Sequence, residues 1–285
     1  MNRKQVPVPL PRVMVEDLIR NALKEDLGRG GDLTTDAIVS PETRFAGYIA
    51  ARDAGVAAGL EIATWAFELL DQTVVAELLT RDGAEVRAGE YLVRLEGPAR
   101  AVLTGERTAL NLLGKLMGIA SLTARYVRAV QGTGARVVCT RKTTPLLRAL
   151  EKYAVRCGGG SNHRFGLDDA VLIKDNHLAV AGSIEDAVSR VRRAVGHTVK
   201  VELEVDTLEQ LEQGLTVGID AVLLDNMTPA TLREAVRIVD GRVVTEASGG
   251  INLDTAAEIA ATGVDLLSVG ALTHSASCFD VGLDA

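Results

Sequence analysis

The spacing of apolar residues changes once along this 285-residue chain, near residue 136. Before that point, residues 14–27 repeat with the period of an amphipathic helix, and Gly28 is placed to end it. The segment therefore predicts a first helix with one buried side. The positions that share its apolar face are Val15, Leu18, Ile19, Ala22 and Leu23.

The rest of this first part mixes short strands with helices, which predicts a small α+β domain over residues 1–117. The C-terminal tail, residues 276–285, is expected to pack on this domain. Prolines in the first twelve residues indicate an extended arm there. The predicted segments are strands over 45–51, 73–79 and 91–96, a glycine-rich loop over 28–36, and helices over 61–70, 104–117 and 120–130.

From residue 136 onward, short apolar runs alternate with helical segments. This alternation predicts parallel strands with right-handed connections, in either a closed barrel or an open sheet. The runs are 137–140, 170–173, 199–205, 221–224, 243–245 and 266–269. The helical segments are 146–155, 184–195, 208–214, 229–239 and 255–261.

The residues at the strand ends favour the barrel. Ionisable groups end nearly every run, and they would converge if the strands closed into a ring, as in barrel enzymes. An open sheet would gather its ligand contacts at one switch point instead. We therefore predict an incomplete α/β barrel over residues 118–275, with six or seven strands. The strand-end residues are Arg141, Lys142, Lys174, Asp175, Asn176, Glu202, Glu204, Asp225, Asn226, Glu246 and Gly270.

Charge is distributed unevenly along the chain, whose formal net charge is -7. A basic segment isolated in an acidic chain predicts a small anionic ligand. A nucleic-acid-binding protein would spread its basic residues more widely, and an aromatic content of 3% leaves few platforms for base stacking. The cationic residues between positions 139 and 176 are Arg141, Lys142, Arg148, Lys152, Arg156, Arg164 and Lys174.

Composition also bears on the location of the protein. No uncharged apolar run approaches the roughly 20 residues that cross a bilayer, so no membrane association is expected. The first residues lack the apolar helical stretch of a signal peptide. The three cysteines, Cys139, Cys157 and Cys278, are odd in number and lack metal spacing, which predicts a reduced cytoplasm.

Two neighbouring strands end in carboxylates that suit a metal ion. Glu202 and Glu204 are two positions apart, so they face the same side of their strand as Lys200. Glu202 is expected to belong to an internal salt-bridge layer, whereas Glu204 lies nearer the strand end. Asp225 ends the next strand, and two such carboxylates can hold Mg²⁺ together with phosphate oxygens. The sequence therefore predicts Mg²⁺ at Glu204 and Asp225.

Two loops add candidate anion-binding groups. Thr144 as N-cap and Pro145 at the first helical position predict a helix start beside Arg141 and Lys142. The Gly-rich segment 158–164 follows a helix, so it does not match a dinucleotide-binding loop. With its His163 and Arg164 it can bring a guanidinium group to a carboxylate.

Small residues follow the last two predicted strands, over 247–250 and 270–273. In barrel enzymes such segments commonly offer backbone N–H groups to a phosphate monoester. His177, in contrast, suits a structural role in the turn 174–176 as well as a functional one. The ligand is therefore expected to carry a sugar phosphate at one end and carboxylates at the cationic side.

These segments resemble the quinolinate phosphoribosyltransferase family, also called carboxylating nicotinate-nucleotide pyrophosphorylases. The resemblance covers nearly the whole chain, with one departure at Leu146, where the family usually has glycine. The segments that carry it are 30–35, 106–108, 140–145, 152–164, 174–177, 202–204, 224–226, 246–250 and 270–274.

The resemblance implies transfer of phosphoribose from phosphoribosyl pyrophosphate to quinolinate with loss of CO₂, and it implies Mg²⁺. It also implies an N-terminal open sandwich before the barrel, and a homodimer or larger homo-oligomer with shared sites. Arg107, from the partner subunit, and Arg141, His163, Arg164 and Lys174 would surround the quinolinate carboxylates. Lys142 would lie between the two substrates.

The resemblance places further residues at the second substrate. Glu204 and Asp225 would lie at the metal and ribose, and together with Lys142 and Lys174 they form the expected catalytic set. The positions expected to bind the 5′-phosphate and complete the substrate site are Thr140, Ser248, Gly249, Gly250, Val269, Gly270, Ala271 and His274.

Three alternative functions share parts of this pattern. A paralogue associated with molybdenum transport operons has this fold and many of the motifs, but the full cationic set favours quinolinate. A nicotinate phosphoribosyltransferase would need one carboxylate contact fewer and normally has a longer chain. A non-catalytic ligand-sensing protein on a barrel fold would not need both carboxylates of the predicted metal site.

Overall fold

The computed structural model describes residues 7–285, so the first six residues of the predicted arm lie outside the described part. The chain forms two compact units. The first contains the described residues up to Ala124, together with Thr143–Gly159 and Thr273–Ala285, and the second contains Arg125–Lys142 and Gly160–Leu272. The sequence predicts one domain over residues 1–117 with the tail 276–285 packed on it, and a second over 118–275. In this division the tail does belong to the first unit, which also contains Thr143–Gly159.

Helices and strands alternate through most of the chain. A short 3₁₀ helix spans Arg12–Met14. The α-helices are α1 (Glu16–Leu27), α2 (Leu33–Ile38), α3 (Leu60–Glu68), α4 (Ala99–Ala129), α5 (Arg148–Cys157), α6 (Asp175–Ala181), α7 (Ile184–Ala194), α8 (Leu208–Thr216), α9 (Pro229–Val239), α10 (Ala256–Ala260) and α11 (Ala271–His274). The strands are β1 (Arg44–Ala51), β2 (Gly55–Val56), β3 (Val75–Leu78), β4 (Glu85–Val86), β5 (Tyr91–Pro98), β6 (Arg136–Val138), β7 (Val171–Ile173), β8 (Val201–Val205), β9 (Ala221–Asp225), β10 (Val244–Ser248), β11 (Leu266–Ser268) and β12 (Val281–Asp284).

The first unit is built on an antiparallel sheet with the strand order β12-β1-β5-β3. Its edge strand β12 comes from the C-terminal tail and pairs with β1 from Tyr48 to Ala51. The predicted first helix is confirmed as α1, which buries Ile19 and Leu23. The predicted loop over 28–36 is wrong in its second half, because the Asp32 side chain accepts a hydrogen bond from the Thr35 N–H group and so starts α2.

The two helices predicted over 104–117 and 120–130 are a single helix, α4. Its glycines allow close packing instead of ending the helix. A Cβ atom on Gly118 would lie 2.0 Å from the Ser277 carbonyl oxygen, and one on Gly114 would lie 2.8 Å from that of Phe279. Glycine at these positions therefore lets the tail that leads into β12 run against the backbone of the helix.

The start of α5 also differs from the prediction. Thr144 and Pro145 do not begin the helix, which starts at Arg148 after Leu147 as N-cap. Leu146 instead adopts the left-handed conformation, with φ 68°, and its side chain is 92% exposed. Leucine is unfavourable there because of its Cβ atom, whereas glycine has no such cost.

The second unit contains six parallel strands in the order β6-β11-β10-β9-β8-β7. From β7 to β11, each strand pairs with the next one in the chain, and β6 pairs with β11. The strands therefore form a ring that is interrupted between β6 and β7. The predicted incomplete α/β barrel with a smaller sheet domain is confirmed. Among the described residues, no helix is long and apolar enough to cross a membrane.

Candidate active site

The carboxyl ends of the parallel strands carry most of the predicted site residues. Thr140, Arg141 and Lys142 follow β6, and Lys174 follows β7 directly. Glu204 lies near the end of β8, while Asp225 and Ser248 are the last residues of β9 and β10. Since parallel strands end at the same edge of a sheet, these side chains share one edge of the second unit.

Arg141 and Arg164 are electrostatic neighbours in this unit. Burial, and next the positive charge of Arg141, lower the pKa of the Arg164 guanidinium, while Glu202 and Asp169 act in the opposite direction. One arm of the Arg164 guanidinium donates to the Ala170 carbonyl at 3.1 Å. Both arginines are half-buried. Two half-buried guanidinium groups that repel each other favour the binding of an anion beside both.

Lys174 and Glu204 form an ion pair between the first residue after β7 and the end of β8, with Lys174 Nζ bound to Glu204 Oε2. The Glu204 side chain is 12% exposed, and that of Lys174 is 43% exposed. His177 accepts a hydrogen bond from the Lys174 backbone N–H at 2.9 Å, as the structural one of its two predicted roles requires. The predicted turn over 174–176 is the first turn of α6.

Asp225 and Ser248 are register partners at the ends of β9 and β10. The next residue, Asn226, donates its backbone N–H to the Ser248 carbonyl at 2.9 Å and its amide to Asp225 Oδ2 at 2.6 Å. A Cβ atom on Gly249 would lie 2.0 Å from Asn226 Oδ1, and Gly249 has φ 91°. Glycine is therefore required for the two loops to meet beside Asp225.

The loop after β11 joins the same edge. Val269 is buried and donates its backbone N–H to the Val138 carbonyl of β6 at 2.9 Å, and Gly270 and Ala271 follow it half-buried. Lys142, in the loop after β6, is exposed, and its backbone N–H donates to Thr140 Oγ1 at 3.0 Å. Small residues therefore follow both β10 and β11, as the phosphate-site prediction requires.

His163 belongs to a buried cluster that the sequence did not indicate. Its Nε2 atom lies 3.1 Å from Glu202 Oε2 and 3.5 Å from Glu246 Oε1. Burial, and next the charge of Glu202, raise the pKa of Glu246 to about 7, whereas His163 and Ser268 lower it. Glu202 was expected in an internal salt-bridge layer, and its partner there is His163, whereas Lys200, expected on the same side of the strand, pairs with Asp220 at 2.9 Å.

Two groups of residues have the chemistry of metal ligands. Among the described residues, His163, Glu202 and Glu246 bring one ligand atom each within 4.8 Å of one another. The predicted ligands Glu204 and Asp225 are half-buried oxygen donors on neighbouring strands, which suits a hard cation such as Mg²⁺. The second group remains the predicted Mg²⁺ site because its carboxylates lie at strand ends.

Arg107 and His274 belong to the first unit. Arg107 is exposed on α4, and His274 is the last residue of α11, with its Nδ1 atom 2.7 Å from Ser275 Oγ. Their predicted roles in substrate binding stay predictions.

The fold and the strand-end groups define a class: a parallel α/β-barrel protein with a cationic site for a small anion and a separate carboxylate pair. Comparison with known proteins gives the family. The family model described as quinolinate phosphoribosyl transferase, N-terminal domain, matches residues 32–117, and the one described as its C-terminal domain matches residues 119–284. The chain belongs to the quinolinate phosphoribosyltransferase family.

Relatives match over nearly their full length. The nicotinate-nucleotide pyrophosphorylase (carboxylating) of Mycobacterium leprae (strain TN) is 47% identical over 273 residues, which cover 94% of this chain and 96% of the relative. A Bacillus subtilis (strain 168) protein named as a probable enzyme of this type is 43% identical over 272 residues, 95% of this chain and 93% of the relative. The crystal structure of NadC from Streptococcus pyogenes has a TM-score of 0.94 at 38% identity and covers 98% of both chains.

Proposed function

We propose that this protein transfers the 5-phosphoribosyl group of phosphoribosyl pyrophosphate to quinolinate. The products are nicotinate mononucleotide, pyrophosphate and CO₂, in the de novo synthesis of NAD. The observation that carries the proposal is the neighbouring, half-buried pair Arg141 and Arg164 in a chain of net charge -7. The family membership of the whole chain supports the same reaction.

The cationic residues suit the two adjacent carboxylates of quinolinate. Arg141 and Arg164 supply guanidinium forks, which match a carboxylate with two parallel hydrogen bonds. Lys174 supplies a third cation, which is paired with Glu204 in this structure. When quinolinate arrives, Lys174 can exchange this carboxylate for one of the substrate.

Phosphoribosyl pyrophosphate suits the neighbouring part of the strand-end edge. Ser248, Gly249 and Gly250 offer backbone N–H groups in a glycine loop that lies against Asn226. Gly270 and Ala271 add a second small-residue segment after β11. These segments fit the 5′-phosphate, because backbone N–H groups without bulky side chains can approach phosphate oxygens closely.

Mg²⁺ is part of the proposal, with Glu204 and Asp225 as the residues that would hold it. When bound, Mg²⁺ supplies positive charge that neutralises the departing pyrophosphate. The carboxylate oxygens of this pair fit a hard cation. The amide that Asn226 donates to Asp225 Oδ2 fixes the orientation of the Asp225 carboxylate at the end of β9.

The side chains also suit the two bond changes. As pyrophosphate leaves, positive charge develops on the ribose, and nearby carboxylates such as Glu204 and Asp225 can stabilise it. Lys142 follows Arg141 in the loop after β6, and its exposed side chain is long enough to bridge both anionic substrates. The ribosylated ring nitrogen is cationic, so it accepts the electron pair of the C2–carboxylate bond when CO₂ leaves, and C2 then takes a proton.

The reaction is tested by offering quinolinate or nicotinate to the purified protein with phosphoribosyl pyrophosphate and Mg²⁺. We expect pyrophosphate and CO₂ to form with quinolinate and little pyrophosphate to form with nicotinate. Turnover of nicotinate alone would identify a nicotinate phosphoribosyltransferase. No turnover with either acceptor would favour the paralogue of molybdenum transport operons or a ligand-sensing protein.

We also propose a homodimer in the cytoplasm, with Arg107 acting in the site of the partner subunit. Arg107→Ala and Lys174→Ala variants, each nearly inactive alone, should recover activity when mixed, because some hybrid dimers contain one intact composite site. The control is a mixture of two preparations of the same variant. Absence of recovery after proven subunit exchange would show that each site is built from one chain.

A further inference from the structure

His163 has both ring nitrogens held within this chain. Its Nδ1 atom accepts a hydrogen bond from the backbone N–H of Arg164 at 2.7 Å. Because Nδ1 uses its lone pair as an acceptor, the proton of the neutral ring lies on Nε2. That Nε2–H group faces Glu202 Oε2 at 3.1 Å and Glu246 Oε1 at 3.5 Å.

The two carboxylates reach His163 from different strands. Glu202 lies within β8 and is 9% exposed, and Glu246 lies within β10 and is 2% exposed. Among the described residues, Glu246 Oε1 is one of the few buried side-chain oxygen atoms that accept no hydrogen bond. A buried carboxylate oxygen of this kind costs free energy. Its position 3.5 Å from His163 Nε2 indicates that it helps to orient the imidazole ring.

We propose that Glu202 and Glu246 are positioning residues for quinolinate binding: they hold the His163 ring, and the ring holds Arg164. The inference rests on the proposed function, which assigns Arg164 to a quinolinate carboxylate. Arg164 is held at two points, at its backbone N–H by His163 Nδ1 and at its guanidinium by the Ala170 carbonyl. The cluster therefore fixes the direction in which the guanidinium fork points.

The charge of the cluster is compatible with a dianionic substrate. The groups that face Glu246 are Glu202 from β8, His163 from the loop after α5, and Ser268 from β11. Burial and Glu202 raise the pKa of Glu246 to about 7. A carboxyl group whose pKa is raised in this way carries less negative charge at neutral pH than an ordinary glutamate, which reduces its repulsion of a dianionic substrate.

A metal ion on the same three residues is the competing arrangement, since their ligand atoms lie within 4.8 Å of one another. To bind a metal, Nε2 would have to lose its proton. The neutral ring would then carry its proton on Nδ1, and the hydrogen bond from Arg164 N–H would be lost. The observed bond therefore favours the hydrogen-bonded cluster.

Steady-state kinetics of Glu246→Ala and Glu246→Gln test the proposal. Glu246→Ala should raise the KM for quinolinate about tenfold, while kcat and the KM for phosphoribosyl pyrophosphate change by less than about twofold, because the ring loses the polar oxygen that lies 3.5 Å from Nε2 and Arg164 is then positioned less firmly. Glu246→Gln should restore most of the affinity, because its carbonyl oxygen can still accept Nε2–H. A KM for quinolinate that stays at the wild-type value in Glu246→Ala would overturn the proposal.

Asp265→Ala is the matched control. Asp265 accepts a hydrogen bond at 2.8 Å from the backbone N–H of Thr245, the residue before Glu246, and it precedes β11. Its replacement disturbs β10 without removing a partner of His163. We therefore expect Asp265→Ala to lower stability and leave the KM for quinolinate unchanged. An equal rise of KM in both variants would show a merely structural role and overturn the proposal.

Nitrogen NMR of the imidazoles gives a readout without turnover. The chain has only four histidines, so the ring signals can be assigned with one variant each. We expect His163 to be protonated at Nε2 in the wild type and its signals to shift in Glu246→Ala. Protonation at Nδ1, or Zn²⁺ binding that involves Nε2, would overturn the proposal. If quinolinate turnover itself failed, the proposed function would be at fault, and this spectrum would still test the cluster.

Discussion

The two ends of strand β9 carry aspartates that have opposite surroundings. Asp220, directly before the strand, accepts hydrogen bonds from Arg192 at 2.7 Å, the Val201 N–H at 2.8 Å and Lys200 at 2.9 Å. Asp225, at the other end, accepts the amide of Asn226. Cations therefore surround the carboxylate at the amino end, whereas an uncharged amide meets the one at the carboxyl end.

The pKa values of two acid groups, Asp220 and Glu246, are shifted in opposite directions. Burial alone would raise the pKa of Asp220, but hydrogen bonds from Lys200, Val201 and Arg192 outweigh it and lower the pKa to about 2. Glu246, in the middle of β10 and so nearer the carboxyl end than Asp220 is, has its pKa raised to about 7 by burial and by the charge of Glu202. At the amino end, the carboxylate is neutralised by cations of the same chain. At the carboxyl end, acid groups lack such partners and are available to bind a ligand.

The largest effect is expected for Arg141→Ala and Arg164→Ala. Loss of one partner of a buried charge pair costs about 2–5 kcal/mol, so kcat/KM for quinolinate should fall by roughly 30- to 5000-fold. The control is Arg192→Ala at the amino end, which should weaken folding without changing quinolinate use. If both site variants kept wild-type kinetics for quinolinate, the carboxyl end of the strands would not be the ligand-binding end, and the contrast with the amino end would be wrong.

Asp225→Asn should have the next largest effect. The change keeps the shape of the side chain but removes the charge that a hard cation needs, so half-maximal activity should require roughly tenfold more Mg²⁺. Quinolinate affinity measured without the second substrate should change little, because the arginines bind it. A variant that loses quinolinate binding and keeps its Mg²⁺ titration would mean that the two halves of the site are wrongly assigned.

Asp220→Asn should act on stability alone. The lowered pKa of Asp220 corresponds to about 1–2 kcal/mol of folding free energy, with allowance for partial exposure to solvent. This stability is present above the usual pKa of 3.8 and is lost as the pH falls towards about 2. Urea unfolding should therefore separate wild type from variant at neutral pH, and the difference should shrink as the solution is acidified. A clear loss of kcat per folded molecule would contradict the assignment of this end to stability.

The smallest effect is expected for Leu146→Gly, in the loop that follows the carboxyl end of β6. The left-handed conformation costs leucine about 1 kcal/mol, and little packing is lost because the side chain is 92% exposed. Part of the gain is offset by the greater freedom of glycine in the unfolded chain. Thermal unfolding should show a slight stabilisation, with Leu147→Gly as the destabilised control. Equal destabilisation by both changes would show that Leu146 is not strained.

Local patterns in the sequence predicted most of the elements. The helix predicted over 229–239 is α9 with the same bounds, and the six predicted parallel strands all form. The failures lie where distant residues decide local structure. Two helices were predicted over 104–117 and 120–130, but the chain between them is helical, and Gly118 is the point where the tail at Ser277 meets α4.

The site shows the same limit. Strand-end positions such as Asp225 and Lys174 could be found from the sequence because each follows an apolar run. The cluster around His163 could not, since its members come from a loop and from two strands that are not neighbours in the sheet. The sequence predicted Glu246 at the end of the strand over 243–245, whereas it lies within β10, which continues to Ser248. The identity of its partner depends on the register between strands.

The pairing of β1 with β12 has a consequence for protein synthesis. All of the second unit is translated after β1 and before β12. While the ribosome makes that unit, β1 has β5 on one side and an open edge on the other, and open edges invite association with other chains. The tail that lies against Gly114 and Gly118 of α4 brings β12 to that edge. The first sheet to be translated is thus completed only after the second unit has been made.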